Sequence, residues 1–163
     1  MIILGLDPGY ATIGYGIIEK NGSKLKPLDY GVITTPPSEN LAMRLGMIDE
    51  AMTAIMNRFK PDCVSIEELF FNTNIKTGIK VAEARGVMVL NAIKTCGKLY
   101  EYTPLQIKQA LTGNGRAHKN QIQYMVKMIL GLTEIPKPDD AADALAAAIC
   151  HSNMIGSQER EVK

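Results

Sequence analysis

The N-terminal segment restricts the fold more than any other part of the chain. An apolar run, MIILGL, ends at Asp7 and Pro8, and the alternating segment TIGYGIIEK follows after a short turn. Apolar and alternating runs bounded by turn residues indicate β-strands, so this segment predicts a β-hairpin. Asp7 then stands at the end of a strand that should be buried. Because an ionised carboxylate in a protein interior is costly unless it is paired, neutralised or bound to a metal, Asp7 needs a partner from elsewhere in the chain.

The order of the remaining segments predicts the fold class. LDYGVITTP is a third strand, ENLAMRLGMIDEAMTAIMNRF has helical spacing, and PDCVSIEELF returns to strand composition. IKTGIKVAEARGVMVLNAIKTC is helical, KLYEYTP is a fifth strand, and three more helical segments follow: PLQIKQALTG, KNQIQYMVKMILGL and DDAADALAAAICHSN. This order is typical of an α/β protein with a five-stranded mixed sheet flanked by helices.

Composition suits one intracellular domain. A chain of 163 residues with 46% hydrophobic residues can build one core, which we expect over residues 1–155, with a disordered tail at 156–163. Cys63, Cys96 and Cys150 form no CxxC pair, so neither a disulfide framework nor a zinc site is indicated. No apolar stretch approaches about 18 residues. We therefore expect a soluble, cytoplasmic protein that does not contact membranes.

Positive charge is concentrated in one part of the chain. Residues 72–130 contain nine Lys or Arg against two acids, although the whole chain has a net charge of only +1. Such asymmetry is typical of a phosphate-facing surface on an otherwise acidic protein, although solvated helix faces would also explain it.

Acidic residues stand at the ends of two strands. Asp7 follows the first strand, where Asp-Pro-Gly could also serve only as a turn. Glu67 and Glu68 close the fourth strand and must point to opposite faces of the sheet, so only one of them can face a given site. The spacing does not choose between them.

A third acidic group, Asp139, Asp140 and Asp143, begins the last helical segment. On a helix, Asp143 shares a face with either of the other two. Asp139 or Asp140 could instead cap the helix or interact with its dipole. The apolar run after Asp143 indicates a helix packed tightly on the sheet, which would bring this acid close to the strand ends.

Convergence of these acids would form an all-oxygen site for hard divalent cations. Mg²⁺ prefers a few carboxylates, retained waters and phosphate oxygens, and two ions about 4 Å apart can clamp the attacking and leaving oxygens of a phosphodiester. The partner that Asp7 needs would then be a metal ion.

Five motifs together resemble the RuvC family of bacterial Holliday-junction resolvases. They are GLDPGYATIGYGII, SIEELFF, EARGV, IKQALTGNGRAHKNQIQ and DDAADALAAAICH, and they span nearly the whole chain, from Ile2 to about His151. The resemblance implies an RNase H-like fold and a homodimer that makes paired nicks in opposing strands of a four-way DNA junction. It also implies two Mg²⁺ ions per active site, with Mn²⁺ as an alternative, and products with 5′-phosphate and 3′-hydroxyl ends. The metal-binding acids implied by the motifs are Asp7, Glu67, Asp140 and Asp143.

The same resemblance suggests DNA-binding residues and a partner. Phe70 would stack on an unpaired base at the junction, a contact worth about 1–3 kcal/mol. The basic residues expected near the DNA backbone are Lys108, Lys119, Arg116 and Lys76. A branch-migration motor of the RuvA and RuvB type would be a further partner.

Three other functions fit parts of the same pattern. A YqgF-like nuclease of the same fold would share the acids but act on RNA. An actin-type ATPase would use DPGYATIG as a phosphate loop, but the chain is too short for the two lobes of such a site. A junction-binding module would use the acids only as caps and turns, and would bind DNA without metal-dependent nicking.

Overall fold

A single mixed sheet forms the centre of the fold in the computed structural model, which describes residues 1–69 and 75–155. Its strands are β1 (Ile2–Asp7), β2 (Thr12–Asn21), β3 (Lys24–Thr34), β4 (Cys63–Glu67) and β5 (Leu99–Tyr102). They lie in the order β3-β2-β1-β4-β5. β1, β2 and β3 are antiparallel neighbours, whereas β4 pairs in parallel with β1 and β5. The predicted five-stranded mixed sheet is confirmed.

Among the described residues, five helices cover the sheet. They are α1 (Leu41–Phe59), α2 (Ile75–Thr95), α3 (Pro104–Thr112), α4 (Lys119–Leu130) and α5 (Asp139–Met154). β3 begins at Lys24, earlier than the sequence predicts, because Gly22 takes a positive φ of 60° in a tight turn after β2. No helix among the described residues combines the length and the apolar character needed to cross a membrane.

The two faces of the sheet carry separate cores. Leu4 and Leu6 of β1 pack with Ile48 of α1 and Met88 of α2. Ile3 points the other way and belongs to a core built with α3, α4 and α5. This separation follows from the two-residue side-chain period of a strand. Odd-numbered residues of β1 therefore face α5.

The backbone of α5 lies directly against the sheet. A Cβ atom at Gly5 would come 2.0 Å from the carbonyl oxygen of Ala144, and one at Gly14 would come 1.9 Å from that of Asp140. Ser65 Oγ donates a hydrogen bond of 2.7 Å to the carbonyl oxygen of Ala147. Glycines in the strands and alanines in the helix thus allow an approach that larger side chains would block. This close approach places the start of α5 beside the end of β1 and the beginning of β2.

Candidate active site

Asp7 and Glu67 end two neighbouring parallel strands on the same face of the sheet. Leu6 pairs with Ile66, so the two acids that follow are in register. Ser65 faces α5, as its hydrogen bond to that helix shows, and Glu67 lies two residues further along the same strand. The structure therefore places Glu67, and not Glu68, on the side of α5.

Asp140 and Asp143 reach the same edge from the first turns of α5. Pro138 is the N-cap, so neither Asp139 nor Asp140 caps the helix. The Cβ and carbonyl oxygen of Asp140 lie against Gly14, which pairs with Asp7 across the β1–β2 hairpin. The tight packing of α5 thus fixes where these acids stand relative to Asp7.

The carboxyl group of Asp7 is in an environment that opposes its charge. Burial, together with the negative charges of Glu67, Asp143 and Asp140, raises the pKa of Asp7 from 3.8 to about 8. The charge of Lys119 acts in the opposite direction but offsets only part of the effect. A carboxyl held so far from its ordinary pKa by its neighbours is a frequent property of functional sites.

Glu67 and Asp143 experience the same crowding of negative charge. Burial and the charge of Asp143 raise the pKa of Glu67, against the lowering effects of Lys108 and Lys119. Burial also raises the pKa of Asp143, although its hydrogen bond to Lys119 opposes this. The site therefore has more negative charge than its two lysines compensate, and a divalent cation would relieve the imbalance.

Lys119, the first residue of α4, bridges two acids of α5. Its Nζ lies 3.1 Å from Asp143 Oδ2 and 3.3 Å from Asp139 Oδ2. Burial works against the charge of Lys119, but its hydrogen bonds to the two aspartates prevail and raise its pKa. The hydrogen bond from Lys119 and a second from Gln123 lower the pKa of the exposed Asp139. Asp139 thus pairs with a lysine, a role that the sequence did not reveal.

Two openings give access to the acids. One, of about 240 Å³, is lined by Glu67, Lys108, Lys119 and Asp143 together with apolar groups of α3 and α4. The other, of about 230 Å³, is lined by Asp7, Glu67 and Glu68 at the strand ends. Both share Glu67, so the carboxylates and the lysines border one continuous surface at this edge of the sheet.

The donor set fits hard divalent cations. All four predicted ligands are carboxylates, the kind of ligand that Mg²⁺ and Mn²⁺ prefer. Within residues 1–69 and 75–155, no three acidic, histidine or cysteine side chains are drawn together closely enough to hold an ion as they stand.

The other predicted residues lie at different places. Lys108 lines the opening at the acids. Arg116 is exposed in the α3–α4 connection, where its backbone N–H donates to Asn114 Oδ1 at 2.9 Å. Lys76 is exposed in the first turn of α2. Phe70 lies outside the described residues. The structure thus brings two of the four predicted basic residues to the acids.

Comparison with known proteins identifies the family. Residues 3–151 match the family model described as crossover junction endodeoxyribonuclease RuvC. The chain belongs to the RuvC family. It is 55% identical to the RuvC of Halothermothrix orenii over 153 residues, covering 94% of this chain and 93% of that protein. It is also 55% identical to the RuvC of Caldicellulosiruptor saccharolyticus over 166 residues, covering 99% of this chain and all of that one.

A solved structure agrees with the sequence relatives. T. thermophilus RuvC in complex with a Holliday junction substrate superimposes with a TM-score of 0.91 at 33% identity, covering 99% of this chain and 100% of that chain. The RNase H-like fold predicted from the motifs is therefore confirmed, as is membership of a family of metal-dependent endonucleases.

Proposed function

We propose that this chain is a Holliday-junction resolvase that hydrolyses phosphodiester bonds in opposing strands of a four-way DNA junction. The observation that carries the proposal is the convergence of acids around Asp7, whose pKa is raised to about 8 by burial and by Glu67, Asp143 and Asp140. Family membership and the relative bound to a Holliday junction support the choice of substrate. A DNA substrate also suits a cytoplasmic location.

Asp7, Glu67, Asp140 and Asp143 would hold two Mg²⁺ ions, with Mn²⁺ as an alternative. When bound, such ions activate water and neutralise charge on the reacting phosphate. The acids would hold the ions at the strand ends, because β1, β4 and α5 pack closely there. The expected products have 5′-phosphate and 3′-hydroxyl ends.

Lys108 and Lys119 have a separate task in the proposed reaction. Both border the opening that contains Glu67 and Asp143, where a phosphodiester would enter. Their ammonium groups can donate hydrogen bonds to phosphate oxygens and balance the negative charge of the acids. No nucleophilic side chain is required. Arg116 and Lys76 are exposed cations that would contact the DNA backbone further away, and Phe70 would stack on an unpaired base.

A second copy of the chain would dock on α2. Its outward face exposes Ile79 and Leu90, each 54% exposed, and Ile93 at 43%. Ala82 and Gly86 lie on the same stripe, and nothing stands within 4 Å of a Cβ atom placed at Gly86. A smooth apolar stripe on one helix suits a two-fold contact, which would also provide one active site for each of two opposing strands. A branch-migration motor of the RuvA and RuvB type is a further partner suggested by the family.

The proposed activity is tested by nicking of a synthetic mobile four-way DNA junction in Mg²⁺ or EDTA. We expect paired nicks in opposing strands that require the metal and that disappear in Asp7→Asn, although this variant still binds the junction. Glu50→Gln is the matched control, because Glu50 is an exposed acid of α1, which covers the opposite face of the sheet, and this variant should cut normally.

Two results would contradict the proposal. Binding without cleavage in Mg²⁺ and Mn²⁺, over several junction sequences, would indicate a binding module. Preferential cleavage of structured RNA would indicate a YqgF-like nuclease.

The dimer is tested separately by sedimentation equilibrium. Leu90→Glu places a charge on the proposed contact and should shift the protein to monomers. Met43→Glu is the matched control, because Met43 is also 54% exposed but lies on α1. A wild-type protein that stays monomeric at micromolar concentration with junction DNA present would refute the dimer.

A further inference from the structure

Arg44, in the first turn of α1, is a buried cation without an acidic partner. It is 8% exposed. Its Nε donates to Thr35 Oγ1 at 2.7 Å and its Nη2 donates to the carbonyl oxygen of Thr35 at 3.3 Å. In the described part of the chain, no carboxylate lies within ion-pair distance of the guanidinium, and Nη1 has no acceptor. Buried charges are normally paired, so this arrangement needs an explanation.

A second cation shares the aromatic ring that Arg44 contacts. The guanidinium carbon of Arg44 lies 4.5 Å from the centroid of the Tyr10 ring, and Lys80 Nζ lies 5.5 Å from the same centroid. Lys80 is exposed on α2 and, among the described residues, has no carboxylate within ion-pair distance. Two positive side chains around one ring attract an anion more strongly than either would alone.

The local helices add to the positive potential. Arg44 is in the first turn of α1, and Lys80 follows the first turn of α2. Neither helix has an acidic residue in its first turn. The N-terminus of a helix carries partial positive charge that fades beyond the first turn, so the helix dipole disfavours the charge of Arg44 but has little effect on Lys80. The folded protein therefore tolerates an electrostatic cost at this point.

This cluster lies at the same edge of the sheet as the catalytic acids. Tyr10 is in the turn that leaves Asp7, and its carbonyl oxygen accepts a hydrogen bond of 2.6 Å from Thr35 Oγ1 at the end of β3. The acids face α5, whereas α1 and α2 cover the opposite face of the sheet. Tyr10 thus links the turn after Asp7 to Arg44 and Lys80, and a DNA strand bound at the acids would pass over this edge of the sheet to contact them.

We infer that Arg44, Lys80 and Tyr10 form a phosphate-binding subsite for the DNA backbone beside the active site. The subsite rests on the proposed junction-cleaving function and extends it by a named contact. Arg44 presents its unpaired Nη1 to a phosphate oxygen, and Lys80 contributes a second charge. The ring of Tyr10 positions both cations. Arg44 also fixes Thr35 and hence the turn after Asp7, so the test must separate this structural role from anion binding.

The test measures the affinity for a four-way junction in EDTA as a function of salt concentration. We expect Lys80→Gln to lower the slope of log affinity against log salt by about 0.9, the value for one lost phosphate contact. Between about 50 and 200 mM salt, wild-type affinity should then fall roughly 3-fold to 4-fold more than that of the variant. Lys94→Gln removes another exposed lysine, from the far end of α2, and should leave the slope unchanged.

Arg44→Gln is compared with Arg58→Gln, because Arg58 also stacks on a ring of α1 but is paired with Asp29. We expect only Arg44→Gln to lower the slope. If Arg44→Gln does not fold, the comparison of the salt slopes of Lys80→Gln and Lys94→Gln is sufficient to test the subsite.

Each remaining outcome has a definite meaning. Normal slopes in folded Arg44 and Lys80 variants, with wild type binding the junction, would overturn the subsite and leave the resolvase function intact. Failure of wild type to bind any junction would overturn both. A separate titration with inorganic phosphate at constant ionic strength tests whether the site binds a free anion instead of the DNA backbone. If low millimolar phosphate reduces the wild-type slope to that of Lys80→Gln, the site prefers free phosphate to the DNA backbone, and the assignment is wrong.

Discussion

Asp7→Asn should make the metal-free protein more stable while it abolishes cleavage. The carboxyl of Asp7 has its pKa raised from 3.8 to about 8 by burial and by the charges of Glu67, Asp143 and Asp140. Below pH 3.8 the group is neutral in both the folded and the unfolded chain. Between pH 3.8 and about 8 only the unfolded chain ionises readily, so stability falls as the pH rises through this window.

The size of the stability change follows from the number of pH units between the ordinary pKa of an aspartate and the pH of the assay. At pH 7, about 3 pH units above the ordinary pKa, the cost to stability is at most about 4 kcal/mol, since one pH unit corresponds to about 1.4 kcal/mol. Asparagine has nearly the same shape and no charge, so it removes this cost. A gain of that size would raise the Tm of a protein of this length by about 8–16 °C.

Thermal melting in EDTA at pH 5 and pH 7, for wild type, Asp7→Asn and Glu68→Gln, measures the effect. We expect Asp7→Asn to gain more at pH 7 than at pH 5, and Glu68→Gln to change little at either. Mg²⁺ should then raise the Tm of wild type more than that of Asp7→Asn, because an ion that binds only the folded state stabilises it. A well-folded Asp7→Asn whose Tm at pH 7 is equal to or below that of wild type would refute the electrostatic reasoning.

Three further changes test other parts of the site. Gly14→Ala should lower the free energy of unfolding by about 1–3 kcal/mol or more and impair cleavage, because the added Cβ would meet the carbonyl oxygen of Asp140 at 1.9 Å. Gly46→Ala is the control in the same chemical denaturation assay. It should be neutral or stabilising, because nothing lies within 4 Å of a Cβ atom at Gly46. Lys119→Gln should reduce the salt slope of junction binding by about 0.9 and slow cleavage, and an unchanged slope would count against a phosphate contact. Phe70→Ala should weaken cleavage much more than thermal stability; equal losses in both would argue for a role in the core.

The order of elements was predictable because it depends on local patterns, whereas the convergence of the acids was only a hypothesis from the sequence because it depends on how α5 packs on the sheet. Hydrophobic periodicity gave the strands and helices, and placing Asp7 at the end of a buried strand indicated a special environment. The choice of Glu67 over Glu68 was different. Alternation requires that the two face opposite sides, but only the packing of α5 against Ser65 identifies the side with the site.

The outward face of α2 shows a second limit of sequence patterns. Ile79, Gly86 and Leu90 have helical spacing that suits a core or a partner equally well. In the structure the core of α2 is built from Ala84 and Met88, and the larger apolar stripe faces outward. A helical period reveals that a face is apolar, whereas the neighbour that covers it depends on contacts distant in sequence.

The position of Lys119 explains why α5 begins with two adjacent acids. Asp139 and Asp143 are four residues apart, so they lie on one side of the helix, where Lys119 Nζ contacts both at 3.3 and 3.1 Å. Asp140 points elsewhere and packs against Gly14 beside Asp7. A cation bound at the acids, as proposed above, would compete with Lys119 for Asp143, and Asp139 would then offer Lys119 a second partner. The pair of adjacent acids therefore divides two tasks, since Asp140 adds to the charge around Asp7 while Asp139 retains the lysine beside the opening.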